Sequence, residues 1–304
     1  MKKVVPVFRL AAQAFANLKA NDPIRMAAAT AFFSFFALPS ILIILSQLYG
    51  NLLSSNDRVS WQLFRKMADV LGYQSARQIQ DISQHLQQRR SSTLLTVLNI
   101  FVLLLASTTL FAIIKNSLNQ LWSVKPSIDR HVWHVALDKL VALAIIVFSG
   151  FLFMASLTIS RTLAPLNEQL FSGIDDWSGN AGQHMLSVAT LTIWFAIVFK
   201  YLPDIRIHWQ AVGVGALVTA LLVELGEAIL NRLLINSSVS SLYGTSGAIM
   251  LILLFVFYSA LIFYYGASFT RYYAQWVHLD AEPGANAVAY QIKELDNETS
   301  SSTK

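Results

Sequence analysis

One stretch of the sequence constrains the rest: Ala211 to Asn231, AVGVGALVTALLVELGEAILN, is apolar for the length of a bilayer core yet carries two glutamates in its second half. At roughly 1.5 Å per residue it can cross about 30 Å of hydrocarbon as a single helix. At about 100° per residue, Gly213, Ala220, Glu224, Glu227 and Asn231 project to one side. Ala211, Gly215, Thr219 and Gly226 gather on the other. Neither side suits lipid, because a carboxylate within a span costs about 2.5 kcal/mol or more unless protein groups or water receive it. The spacing therefore predicts a helix inside a bundle, with neighbours on both flanks and Glu224 and Glu227 as the first candidate site residues.

The remaining apolar runs extend this reading along the chain. Hydrophobic residues make up 55% and charged residues 13% of the 304, against about 45–50% and 25% in a soluble domain. Mean hydropathy is +0.52. Further spans are expected over about Met26–Leu48, with Pro39 kinking it, Leu94–Ile114, Leu137–Ser160, Met185–Tyr201 and Ser246–Phe269. Asp22 and Pro23 form the start signal of the first, as N-cap and first helical residue. Ser149, Ser156 and Ser160 share a stripe of the third, the pattern of closely packed helices. The fold class predicted is all-α, a polytopic membrane protein of six transmembrane helices in one domain over residues 26–271.

Residues 1–25 carry Lys2, Lys3, Arg9, Lys19 and Arg25 among apolar side chains, which predicts an amphipathic helix lying along an anionic leaflet. In the first extramembrane loop, 49–93, Trp61, Phe64, Met67 and Leu71 recur at helical spacing, as do Ala76, Ile79, Ile82 and Leu86, so two short helices are expected there. SSVSSLYGT, Ser237–Thr245, reads as a polar loop, and the acidic, serine-rich tail over 272–304 as a disordered segment. No cleavable signal is expected, since the first apolar run is long enough to remain a span. Of the 22 Lys and Arg, 14 fall in segments that are internal if the N terminus is internal, which places both termini in the cytoplasm.

The charge of +5 follows from that topology, and no nucleic-acid partner is implied. Zero cysteines exclude disulfides, thiolate zinc sites and iron–sulfur ligation. No HExxH, GxSxG or phosphate-cradling glycine loop is present, so neither enzyme activity nor a cofactor is expected. His131 and His134 near Asp129 and Asp138, and the pair Asp175 and Asp176, read as solvated polar groups rather than metal ligands.

Several of these segments resemble the YihY/BrkB family of bacterial inner-membrane proteins. They are AAATAFFSFFALPSILIIL in the first span, SLNQLW at the exit of the second, and the last third from WFAIVFKYLPDIRIHWQAVGVGALVTALLVELG through SLYGTSGAIMLILLFVFYSALIFYYGAS. The resemblance covers roughly Asp22 to Arg271 and implies a six-helix bundle in the bacterial inner membrane. The family has carried the labels virulence factor BrkB and ribonuclease BN, and it implies Pro39, Asn119, Pro203, Glu224, Tyr243, Gly244 and Gly247 as shared positions. Glu227 stands where relatives often carry lysine, and Ser268 where they commonly carry glutamate.

Two functions follow as expectations. In a transporter or permease, Glu224, Glu227 and Asn231, with Asn116 and Asn119, would line a path for a small solute or ion. In a noncatalytic scaffold or envelope factor, the same residues would hold helices together while 49–93 and the tail meet partners. The lipid bilayer is the partner common to both, and the sequence is compatible with a homo-oligomer.

Overall fold

A computed structural model describes residues 7–37, 109–127, 181–230, 239–279, 281–284 and 287–291, with short helical pieces between 65 and 159. In chain order the helices are α1 (Val7–Ala20), α2 (Pro23–Ala37), α3 (109–121), α4 (Ala181–Tyr201), α5 (Trp209–Leu230) and α6 (Val239–Trp276). Four short strands accompany them: β1 (Val124–Pro126), β2 (Ile205–Arg206), β3 (Glu282–Pro283) and β4 (Ala287–Ala289). Among the described residues three helices are long and apolar enough to cross a membrane, over His184–Tyr201, Trp209–Ile229 and Ile249–Trp276. Pro39, most of the expected second span and parts of the third lie outside the described residues. Of the loop 49–93, Arg65, Ala76, Arg77, Gln80 and Asp81 are described, and all are helical.

The helix ends follow from local chemistry. Between α1 and α2, Asp22 adopts a left-handed conformation with φ 53°, which a short polar side chain tolerates better than most. Its carbonyl accepts the first bond of α2, from Met26 N at 3.2 Å, and Pro23 opens that helix where no donor is needed. At the far end of α6, Leu279 N reaches Ala274 O at 2.9 Å and His278 N reaches Gln275 O at 3.2 Å. With His278 at φ 56°, this is the double-bonded left-handed ending that satisfies orphan carbonyls.

The core lies at the end of the bundle where α3 finishes, α4 ends and α5 begins. Leu118, Leu121, Phe199, Ile207, Val212 and Tyr264 are fully buried there, and Phe195, Phe199, Phe263 and Tyr264 meet ring to ring. Thr30 of α2 bonds the Tyr264 hydroxyl at 2.6 Å, tying α2 into the same layer. The α5 helix has neighbours on both flanks, as its sequence requires. Its small face meets α6, with Gly215 against Thr270 and Thr219 against Gly266. Its Glu224 side meets α4. Between them Leu217, Leu221 and Leu225 form an exposed ridge at i, i+4, i+8, suited to lipid.

Two expectations need correction. The described residues of 272–291 are not a disordered tail: α6 runs on to Trp276, β3 pairs antiparallel with β2, and β4 pairs antiparallel with β1. Gly284 N also donates to Asp204 O at 2.9 Å and Tyr290 N to Ser123 O at 2.9 Å. The returning chain gains backbone partners that hydropathy does not register, because both connecting loops offer extended edges. The four strands, two or three residues each, accompany an otherwise helical chain, consistent with the all-α class. Within Ser237–Thr245, residues from Val239 onward belong to α6, whose 38 residues extend about 57 Å, well past the hydrocarbon.

The α1 helix docks on α6 rather than standing apart. Leu10 and Ala14 pack with Phe269, Tyr265 OH donates to Ala11 O at 3.3 Å, and Ser268 Oγ donates to Ala14 O at 2.8 Å while accepting from Asn17 Nδ2 at 2.9 Å. Ser268 is thus a fully buried tie between two helices. Ser268→Ala is expected to lower stability by about 1–2 kcal/mol, read as an earlier midpoint when the protein in mild detergent is titrated with a denaturing one.

Candidate functional site

The Glu224 carboxylate is held on both oxygens by α4. Oε1 lies 2.6 Å from His184 Nδ1, and Oε2 accepts from Ser187 Oγ at 2.9 Å. Ser187 follows His184 by three residues, so both face one side of α4, and that side carries Leu191 and Trp194 toward the core. The His184 side chain is 56% exposed and that of Glu224 22%, so the pair has an open, water-accessible edge and a protected one. An imidazole and a hydroxyl converging on one carboxylate are the polar groups the site offers. A charged pair there is an ion pair; a neutral one is a plain hydrogen bond.

Glu227 sits half-buried one turn beyond Glu224, and Asn231 lies outside the described residues.

Asn116 and Asn119 are not brought to this site. From Glu224 back to Trp209 is about 22 Å of helix, and Asn119 belongs to a second cluster beyond that end. Its Nδ2 donates to Asp204 Oδ2 at 2.9 Å, its Oδ1 accepts from Asp204 N at 2.8 Å, and Lys115 Nζ lies 2.8 Å from Asp204 Oδ1. Lys115 and Asp204 side chains are 12% and 17% exposed. Asn119 thus reads both edges of Asp204 and locks the α4–α5 turn onto α3. Asn116, one turn earlier on α3, is exposed. Nearby, Arg271 Nη1 donates to Leu121 O and, at 3.1 Å, to Ser123 Oγ. A cation at the carbonyl end of α3 opposes its dipole. No group of three metal-ligating side chains occurs among the described residues.

Sequence reading missed His184 and Ser187. A signal was present: α4 and α5 are antiparallel and joined by seven residues, so positions equally far from that turn face each other. His184 stands 17 residues before Tyr201 and Glu224 stands 15 after Trp209. Matching depths would have paired them.

Long apolar helices, polar side chains turned to one another across helix seams, and a leucine ridge left outward together define an integral membrane protein. The family model described as Virulence factor BrkB matches residues 14–290, and the chain belongs to that family. No curated protein and no solved structure matches the chain.

Proposed function

We propose that the protein is a permease-like component of the bacterial inner membrane, with six spans and both termini in the cytoplasm, and that Glu224 takes part in the path of a small solute or ion. The observation that carries this reading is the engagement of both Glu224 oxygens by His184 and Ser187 at a half-open helix seam. A carboxylate within a span that is open to water on one edge can meet a cation or polar solute, which a wholly structural bond does not require. Asn119 is reassigned from the path to the fixed end of the bundle. No catalysis, cofactor or nucleic acid enters the mechanism.

A second reading, a noncatalytic scaffold, draws on the interlocked end of the bundle, where Asn119, Asp204, Lys115 and the paired strands hold loops and tail together. Under it, the Glu224 contacts pin α4 to α5 and nothing more. The two separate in proteoliposomes screened for proton, ion and solute flux, comparing wild type with Glu224→Gln and His184→Ala. Flux in wild type that falls at least about tenfold in a folded, inserted Glu224→Gln variant is expected. Equal flux in wild type and both variants removes Glu224 from the path, and no wild-type flux under any condition favours the scaffold.

A further inference from the structure

With α1 docked on α6, its outward face is fixed, and the composition of that face is unusual for one turned to water. Phe8 is 82% exposed and Phe15 61%; Ala12 and Lys19 share their side of the helix, and Arg9 lies on its flank, all exposed. The opposite arc, Leu10, Ala14 and Leu18, is the one buried in the protein. Ile24, 70% exposed, and the exposed Arg25 continue the pattern into α2. The α1 sequence, VFRLAAQAFANLKA, contains no acidic residue.

Position completes the picture. The segment of α6 that receives α1 holds Tyr265, Phe269, Tyr272 and Tyr273, with Trp276 just beyond, and tyrosine and tryptophan gather where a span meets the headgroups. A helix held at that level with two phenylalanines outward and cations beside them meets acyl chains with its rings and phosphates with its side-chain charges. We infer that the outward face of α1, Phe8, Ala12, Phe15 and Lys19 with Arg9 and Arg25 alongside, is a binding surface for anionic lipid headgroups of the bilayer that holds the protein. The docked helix presents this surface without having to fold on contact, so lipid charge acts on a preformed site. Through Ser268 and Asn17, which bond α1 to α6 and reach Leu121 of α3, that contact bears on the whole core end of the bundle.

The absence of cysteine from the chain makes the test clean. Full-length protein carrying Ala12→Cys, labelled with an environment-sensitive fluorophore, is placed in nanodiscs of phosphatidylcholine with or without phosphatidylglycerol, each containing lipid nitroxide-labelled near the headgroup. Quenching is expected to be at least about twofold stronger in the anionic discs, to weaken as salt is raised, and to fall back in the Arg9→Glu, Lys19→Glu variant. Both substitutions lie away from the buried arc, and a probe at Leu217→Cys, on the α5 ridge, should keep its lipid contact in every disc, which reports that the bundle is intact. Quenching at position 12 that is absent, or that is indifferent to lipid charge and to charge reversal, overturns the inference. So does a probe shielded from lipid but self-quenched between two labelled copies, which assigns the face to a second chain.

Discussion

Gly266→Ala is expected to destabilise the protein by about 3 kcal/mol, whereas Gly213→Ala is expected to leave it unchanged or slightly more stable. A Cβ at Gly266 would lie 1.8 Å from Thr219 Oγ1, 2.8 Å from its Cβ and 3.0 Å from its Cγ2, while one at Gly213 meets nothing within 4 Å. The threonine cannot step aside freely. Its hydroxyl donates to Gly215 O at 2.7 Å, and the side chain is fully buried. Rotating it away would leave a buried hydroxyl without its acceptor. The contact is reciprocal: Gly215 faces Thr270, with a Cβ placed 1.8 Å from Oγ1, and Thr270 Oγ1 donates to Gly266 O at 2.8 Å. Two Gly-x-x-x-Thr segments, one on each antiparallel helix, thus pack glycine to threonine twice. Because all three nearest neighbours of a Gly266 Cβ belong to the Thr219 side chain, adding Thr219→Gly should recover part of the loss. The double variant should be less destabilised than the sum of the singles by about 1–2 kcal/mol. Gly226→Ala falls between the extremes, since its Cβ meets mainly the ring of Tyr258, whose end can move. Unfolding titrations in mixed micelles measure all five variants. Equal losses at Gly213 and Gly266 would dismiss the interlock.

How far these features were readable in advance depends on what kind of partner each residue has. The two faces of α5 followed from angle alone, because a helix is periodic and a membrane leaves few places for Gly215, Thr219 and Glu224. Its start, Trp209, falls close to that of the apolar stretch for the same reason. Glu224 stood out as a carboxylate among leucines, but its partners did not, since His184 and Ser187 lie 40 and 37 residues away in sequence. Pairing them needs the geometry of the α4–α5 hairpin. The strands of residues 282–289 were invisible for a different reason: their bonds are made by backbone, and no side-chain pattern announces them. Asn119 was noticed as a polar residue at a helix exit, yet its role depends on Asp204, 85 positions later.

That pairing yields the other large expected effect. Asp204→Ala should destabilise the protein by about 3 kcal/mol or more, because it removes in one step the carboxylate facing Lys115 at 2.8 Å and the acceptor of Asn119 Nδ2. With Lys115 only 12% exposed, water cannot fully replace the lost charge, and removing one member of a buried pair costs about 3–5 kcal/mol. The backbone bond from residue 204 to Asn119 Oδ1 survives the substitution, so the α4–α5 turn should loosen from α3 rather than detach. The charge itself can be separated from the geometry. Asp204→Asn keeps an oxygen for Asn119 but not the negative charge, and should remain strongly destabilised while Lys115 is present. Adding Lys115→Met removes the ammonium that faced the carboxylate and should restore part of the loss, as replacing both partners of a buried pair often does. The same mixed-micelle titration reads each variant. If Asp204→Asn alone matches wild type, the ion pair contributes nothing to holding the turn. Transport distinguishes this end of the bundle from the other. A Lys115→Met, Asp204→Asn protein that folds should retain whatever flux wild type shows, since the proposed path runs through Glu224 about 22 Å of helix away. Loss of flux in that stable double variant would move the path to the Asp204 end.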